Sequence, residues 1–442
     1  MTSKPAALTW FGPKLILACA LGIATLAGCA SGPTRPTTPV YSGNERPEPT
    51  RPPRPDAPDP RIDEDEIGVR ELADIGPEGY TPPHMAADVS SQDLVRVGVL
   101  LPLTSPNAGV RREAEGLLAA IEMALFDSRI ANAVLLPKDT AGDTETTRQV
   151  TQIALAEGAD VILGPLFAAN VRAAAEIARE AETPLISFST DRTAAGDGAY
   201  LLSVTPEEEV ERIVDWAALK GIERFAMFGP RTTYGRRVDA ALRYEATRRG
   251  AAVFASEFYD ANDPSPVLPA QNLAAMVNAE AELAPGKVAV LIPERGVRLR
   301  AVAPLMPYYD VDLSIVTLLG TGLWNDPEVW REPSLFGGAF AAPDPDAIAS
   351  FDETYAGEIG QEAPRLASLG YDAAALAVAL GEADALSPEA LERGDGFVGV
   401  NGLFRFNPDG VSEHGLAVLQ VSETAGARIV DRARTSFDAD GS

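Results

Sequence analysis

The stretch LVRVGVLLP (94–102), followed by AEGLLAAIEMALFDS (114–128), decides how this chain is read. The first is a short Val/Leu run of the kind buried on both faces of a parallel sheet; the second spaces its apolar residues as a helix does. The alternation continues with AVLLPKDT (133–140), TTRQVTQIALAEG (146–158), ADVILGP (159–165) and NVRAAAEIAREA (170–181), and PLISFST (184–190) closes the set. Strands alternating with helices predict a doubly wound α/β lobe. A second set of similar size begins at Glu207 with EEEVERIVDWAALKG (207–221), RFAMFGP (224–230) and YGRRVDAALRYEATRRG (234–250). It runs on through AAVFASEFY (251–259), KVAVLIP (287–293) and LSIVTLLG (313–320). The predicted fold class is therefore α/β, with two doubly wound parallel-sheet lobes and a cleft between their carboxyl edges, where such folds take ligands.

The tail continues past both sheets. RLASLGYDAAALAVALGEA (365–383) is helical in pattern, and FVGVNGLFRFNPDGVSEHGLAVLQV (397–421) predicts a hairpin turning at Asn407-Pro408-Asp409-Gly410. Such a tail is expected to cross back between the lobes. Lobe 1 would then comprise about 94–205 and 343–395, and lobe 2 about 206–342 and 396–442.

Upstream, Lys4 and Lys14 precede LILACALGIATLAG (15–28), an apolar run of 14 residues. A spanning helix needs about 20, so the run suits a signal-peptide core. It ends in Leu26-Ala27-Gly28-Cys29 and resembles the lipobox of bacterial lipoproteins, which implies cleavage after residue 28 and acylation of Cys29. With Ala30 and Ser31 following, and no Asp beside the cysteine, the resemblance implies a periplasmic protein held in the outer-membrane lipid. Residues 29–93 are rich in Pro, Thr and Arg, and proline's fixed φ and missing N–H predict a disordered, extended tether before the folded part at 94–442.

Composition removes several function classes. Among 442 residues, 37 basic side chains face 64 acidic ones, a net charge of -27, which argues against nucleic acid. Two Cys and two His cannot supply a zinc cluster, an iron–sulfur centre or a disulfide framework, and no cofactor is expected. No HExxH, GxSxG or GxxxxGK[ST] pattern is present, so the chain is not read as an enzyme. His84 and His414 are expected to be solvated or capping, Asp344 and Asp346 to shape a turn, and Glu207 to Glu209 to form the first turn of a helix. Trp324 and Trp330 flank WNDPEVW and are candidate anchors of a protein interface.

The ordered pieces VRVGVLLPLT, GADVILGPL, TPLISFST, Tyr234-Gly235, GYDAAAL (370–376) and GVNGLFRFNPDG (399–410) together resemble the type I periplasmic binding proteins, including the Leu/Ile/Val-binding proteins. The resemblance runs from about Leu94 to Val421. Within that family, the lipid anchor and GTGLWNDP (320–327) resemble the penicillin-binding-protein activator lipoproteins, which implies contact with a peptidoglycan synthase. The better-known activators carry a helical-repeat domain where this chain has a Pro-rich segment.

The amino-acid binders imply a cleft site at Ser189, Thr190, Asp191, Tyr234 and Thr321. Two departures stand out. Ala168 or Ala169 falls where a hydroxyl is expected, and the loop Gly320-Thr321-Gly322-Leu323 lacks the acidic residue that clamps a ligand ammonium. An unpaired buried ammonium costs several kcal/mol, so a zwitterionic amino acid is not expected there. The sequence thus favours a synthase-contacting lipoprotein over the alternative, a transporter receptor for a small polar ligand. If Cys29 is the anchor, Cys29→Ser should move the protein from the membrane to the soluble fraction on cell fractionation. Retention in the membrane would remove the anchor reading.

Overall fold

The computed structural model describes residues 94–127, 133–424 and 426–437. The signal-like segment, Cys29, His84 and the Pro-rich stretch lie outside the described residues.

The first sheet has the order β2-β1-β3-β4-β5, all parallel, and is built from β1 (Val95–Leu101), β2 (Ala133–Asp139), β3 (Val161–Leu163), β4 (Leu185–Ser187) and β5 (Ala199–Leu201). Alternate residues of β1 feed two different cores, as a pleated strand covered on both faces requires. Val97, Val99 and Leu101 pack with Leu117 and Ile121 of α1 (Ala108–Asp127), whereas Leu100 packs with Val171 and Ala174 on the opposite face. That second face is covered by α2 (Thr144–Ala156) and α3 (Ala168–Glu180), stitched together by Asn170 Nδ2 donating to Thr147 Oγ1 at 2.6 Å.

The second lobe repeats the plan. After α4 (Pro206–Leu219) come β6 (Arg224–Pro230), α5 (Thr233–Arg248), β7 (Ala252–Tyr259), α6 (Val267–Leu283) and β8 (Val288–Leu291). Next are α7 (Gly296–Val302), α8 (Leu305–Tyr308), β9 (Val316–Gly320) and β10 (Ala339–Ala342). The order β7-β6-β8-β9-β10 reproduces β2-β1-β3-β4-β5 strand for strand, so both lobes have their topological switch point beside their first strand. Val210, Ile213 and Val214 of α4 and Val238 and Leu242 of α5 cover one face, and Leu273 and Val277 of α6 the other.

The return segments complete both lobes. Helices α9 (Pro345–Ile359), α10 (Ala367–Glu382) and α11 (Pro388–Leu391) lead into a small antiparallel sheet of β11 (Phe397–Gly399), β12 (Gly402–Phe406) and β13 (Ser412–His414). Its turn lies at 407–410, where Gly410 N donates to Asn407 O at 2.8 Å. Phe404 and Phe406 enter the core of the first lobe, with the Phe406 ring centroid 5.2 Å from that of Tyr200. The last crossing between the lobes therefore follows His414 and is later than the boundary at 396 expected from the sequence. Periodicity cannot place it, because a hairpin reads the same whichever core receives it. The chain then adds β14 (Ala417–Ser422) and β15 (Gly426–Asp431) antiparallel to the edge at β10, so the second sheet is mixed rather than wholly parallel.

Trp324, just past β9, is fully buried beneath this sheet and fills the space over Gly320. A methyl group at residue 320 would fall inside the indole ring. Gly320→Ala is expected to destabilise the protein by about 2–3 kcal/mol in urea unfolding, through overpacking. An unchanged midpoint would show that the indole is free to move.

Candidate functional site

Between the lobes, at the carboxyl edges of the sheets, lies a cavity of ≈ 230 Å³. From the first lobe and its return segments come Thr190, Ser203, Arg365, Ser368 and Asn401; from the second come Glu209, Gly322 and Asn325. The floor is held by Asp372 of α10, whose carboxylate accepts from Val400 N at 2.7 Å, Asn401 N at 3.1 Å and Asn401 Nδ2 at 2.7 Å. Ser368 Oγ in turn bonds Asn401 Oδ1 at 3.0 Å. Burial raises the Asp372 pKa from its ordinary value, and these donors pull against it.

Of the five cleft residues read from the sequence, Thr190 alone lines this cavity. Ser189 and Asp191 are engaged in shaping their own loop. Ser189 N donates to Ser187 Oγ at 3.0 Å and its Oγ accepts from Asp191 N at 3.2 Å. Asp191 caps the 3-10 turn Arg192–Ala194, accepting from Thr193 Oγ1 at 2.7 Å and Thr193 N at 3.1 Å, and that hydroxyl leads the groups holding its pKa below the usual carboxylate value. Tyr234 and Thr321 meet each other, hydroxyl to hydroxyl at 2.9 Å, with Thr321 fully buried. Burial, followed by the charge of Glu209, raises the Tyr234 pKa.

The two tryptophans are not free anchors. The Trp324 indole N–H donates to Ile292 O at 2.9 Å inside the core, and the Trp330 N–H donates to Trp324 O at 2.7 Å. Both stabilise the second lobe, as the bulk and single donor of an indole favour. His414 is also buried rather than solvated; its Nδ1 lies 3.2 Å from Glu208 Oε2.

The residue that sequence reading missed is Glu209. Thr205 caps α4, with Pro206 in the first turn, and Glu207, Glu208 and Glu209 follow at the positive end of the helix. Glu209 is only 9% exposed, and its carboxylate accepts the Gly322 N–H. A side chain at residue 322 would collide with it, so the glycine in GTGLW is what lets a carboxylate approach this loop. An acid from another element, α4, thus stands against the loop 320–323, which carries none of its own. One signal was available: 206, 209/210, 213/214 and 217 form the buried stripe of α4, and Glu209 is a charged residue on that stripe.

Burial pushes the Glu209 pKa up to about 8 from its ordinary 4.5, with Arg365 and the Gly322 N–H opposing. Between those values the native state holds a proton that the unfolded chain has released. The stabilisation is therefore complete below pH 4.5 and is lost as pH rises through 8, by something on the order of 4 kcal/mol. Asp372 acts in the same direction. Urea unfolding from pH 5 to 8.5 should show stability falling in the wild type and a slope flattened by a few kcal/mol in Glu209→Gln. Equal slopes would mean that Glu209 ionises normally.

Residues 94–293 match the family model described as Periplasmic binding protein. The penicillin-binding protein activator LpoA of Vibrio cholerae serotype O1 is 27% identical over 177 residues, which make up 38% of this chain and 28% of that protein. The match therefore spans little more than a quarter of the length of those curated relatives. Among solved structures, an ABC transporter substrate-binding protein from Sphaerobacter thermophilus aligns with a TM-score of 0.62 at 18% identity, covering 78% of this chain and 98% of that one. A solute-binding protein from Rhodopseudomonas palustris in complex with 3,4-dihydroxybenzoic acid gives 0.57 at 20%, covering 78% and 98%. A leucine-binding protein from Thermotoga maritima gives 0.54 at 18%, covering 77% and 99%. At these identities the structural likeness is one of fold. Two lobes that share a strand order and are joined by three crossings, with the family match lying inside them, give the described part of this chain the fold of the type I periplasmic binding proteins.

Proposed function

We propose that this chain is a non-enzymatic binding protein of the periplasm whose interlobe cavity takes a small polar ligand carrying a protonated amine. The observation that supports this reading best is the Glu209 carboxyl group, buried in the cavity wall against the Gly322 N–H. A buried acid that costs stability above pH 4.5 calls for a compensating role, and receiving an ammonium is one. The cavity falls below the roughly 300–1,000 Å³ of drug-sized sites, which suits a ligand of about amino-acid size. The sequence alone ranks synthase contact first on the outer-membrane anchor it implies, the activator-like GTGLWNDP and the missing ammonium clamp; Glu209 weakens the last of these grounds.

A second reading keeps its own support. The matches to penicillin-binding protein activator LpoA favour a lipoprotein, anchored through Cys29 in the outer membrane, that stimulates a peptidoglycan synthase by contact. Trp324 is wholly buried and so not available to such a contact, whereas Trp330 is half-buried with its indole N–H bonded to Trp324 O.

A thermal-shift screen of amino acids and small amines separates the two. The receptor reading expects one ligand to raise Tm by several degrees. Calorimetry at pH 7 in buffers of different ionisation enthalpy should then show release of close to one proton as the ammonium ionises Glu209. Glu209→Gln should weaken binding roughly 30-fold or more, as loss of one partner of a buried charge pair does. No stabilisation by any amine, together with co-purification of a bifunctional synthase and a change in its polymerisation rate, would transfer the assignment to the second reading.

A further inference from the structure

Beside the inner cavity, at the mouth of the cleft, lies a second space of ≈ 640 Å³ that shares Gly322, Asn325, Ala363 and Arg365 with its lining. Three arginines line it: Arg112 from α1, Arg365 from the turn before α10, and Arg295 from the loop before α7. The first two belong to lobe 1 and the third to lobe 2. Among the described residues, none of the three has a carboxylate within ion-pair distance, although Arg237, Arg249 and Arg405 elsewhere are each paired at 2.7 Å or less. The one carboxylate lining the space, Asp326, is engaged with the Glu328 N–H at 2.9 Å. Arg365 also faces Glu209, whose raised pKa leaves that acid largely uncharged at neutral pH.

Three arginines without an ion pair among the described residues, on three elements and both lobes, concentrate positive charge around one space in a chain of net charge -27. Guanidinium groups present planar forks that match carboxylate and phosphate oxygens two at a time. We propose that Arg112, Arg295 and Arg365 form a binding site for a small multiply charged oxyanion, a polycarboxylate or a phosphate ester, which bridges the two lobes at the cleft mouth. A monovalent anion would satisfy one fork and leave the others unmatched. A bridging anion would favour the approach of the lobes and so hold them around whatever the inner cavity contains.

The site does not rest on the amine reading, and its test uses no amine. Calorimetric titration of the whole protein with citrate, inorganic phosphate and acetate, at constant ionic strength and pH 7, reads it directly. Saturable binding of citrate or phosphate, at least tenfold tighter than acetate, is expected; the stronger of the two identifies the polycarboxylate or the phosphate-ester class. Arg365→Gln and Arg295→Gln should each weaken it tenfold or more, and Arg236→Gln, at an exposed arginine outside this space, should leave it within twofold. Citrate and phosphate no tighter than acetate, or equal losses from Arg236→Gln, would overturn the site. A loss with Arg365→Gln but none with Arg295→Gln would overturn the bridge between lobes.

Discussion

Three consecutive glutamates in the first turn of α4 tie together the junctions on which the cleft depends. Glu207 takes a two-point ion pair from Arg237, with Nε at 2.8 Å and Nη2 at 2.7 Å, and the same Nη2 reaches Thr190 O at 2.7 Å across to the first lobe. Glu208 accepts the backbone N–H and faces the ring of His414, where the chain makes its last crossing. Glu209 turns into the cavity and takes the Gly322 N–H. Three like charges in one turn would repel one another. The positive helix terminus and three separate cationic or N–H partners make the arrangement tolerable.

The cleft draws its polar groups from both lobes. Its two buried carboxyl groups, Glu209 and Asp372, both have raised pKa values, yet Asp372 accepts three backbone and amide donors whereas Glu209 accepts one backbone donor. Acids that are surrounded by fixed donors build a floor; an acid with one backbone donor and a distant guanidinium can respond to what enters. The mouth has the opposite character, because three arginines line it and, among the described residues, none of them forms an ion pair. Charge is thus sorted along the cleft within a chain that is acidic almost everywhere else.

Much of the fold was legible in the residues. The Val/Leu runs at 94–102 and 287–293, and the helical stripes between such runs, predict both lobes because burial on two faces leaves an unmistakable pattern. The hairpin at 407–410 was equally plain from its turn residues. The recipient of that hairpin was not, since local pattern does not say which core Phe404 and Phe406 will fill. The tryptophans show the same limit: WNDPEVW looks like a loop, but Trp324 lies under a sheet because Gly320 leaves room for its ring.

The amino-acid sequence by itself determined the two α/β lobes, the acidic balance and the absence of an acid from residues 320–323, since each follows from composition or from local periodicity. Only the tertiary structure decided that an acid from α4 lies against that loop, that Ser189 and Asp191 bond within their own loop, and that arginines from both lobes line the mouth. Those are distances between segments as far apart in the chain as Glu209 and Arg365. They arise from how helices seat on sheets, and hydrophobic spacing within one segment carries no record of what a neighbouring segment will bring to its side.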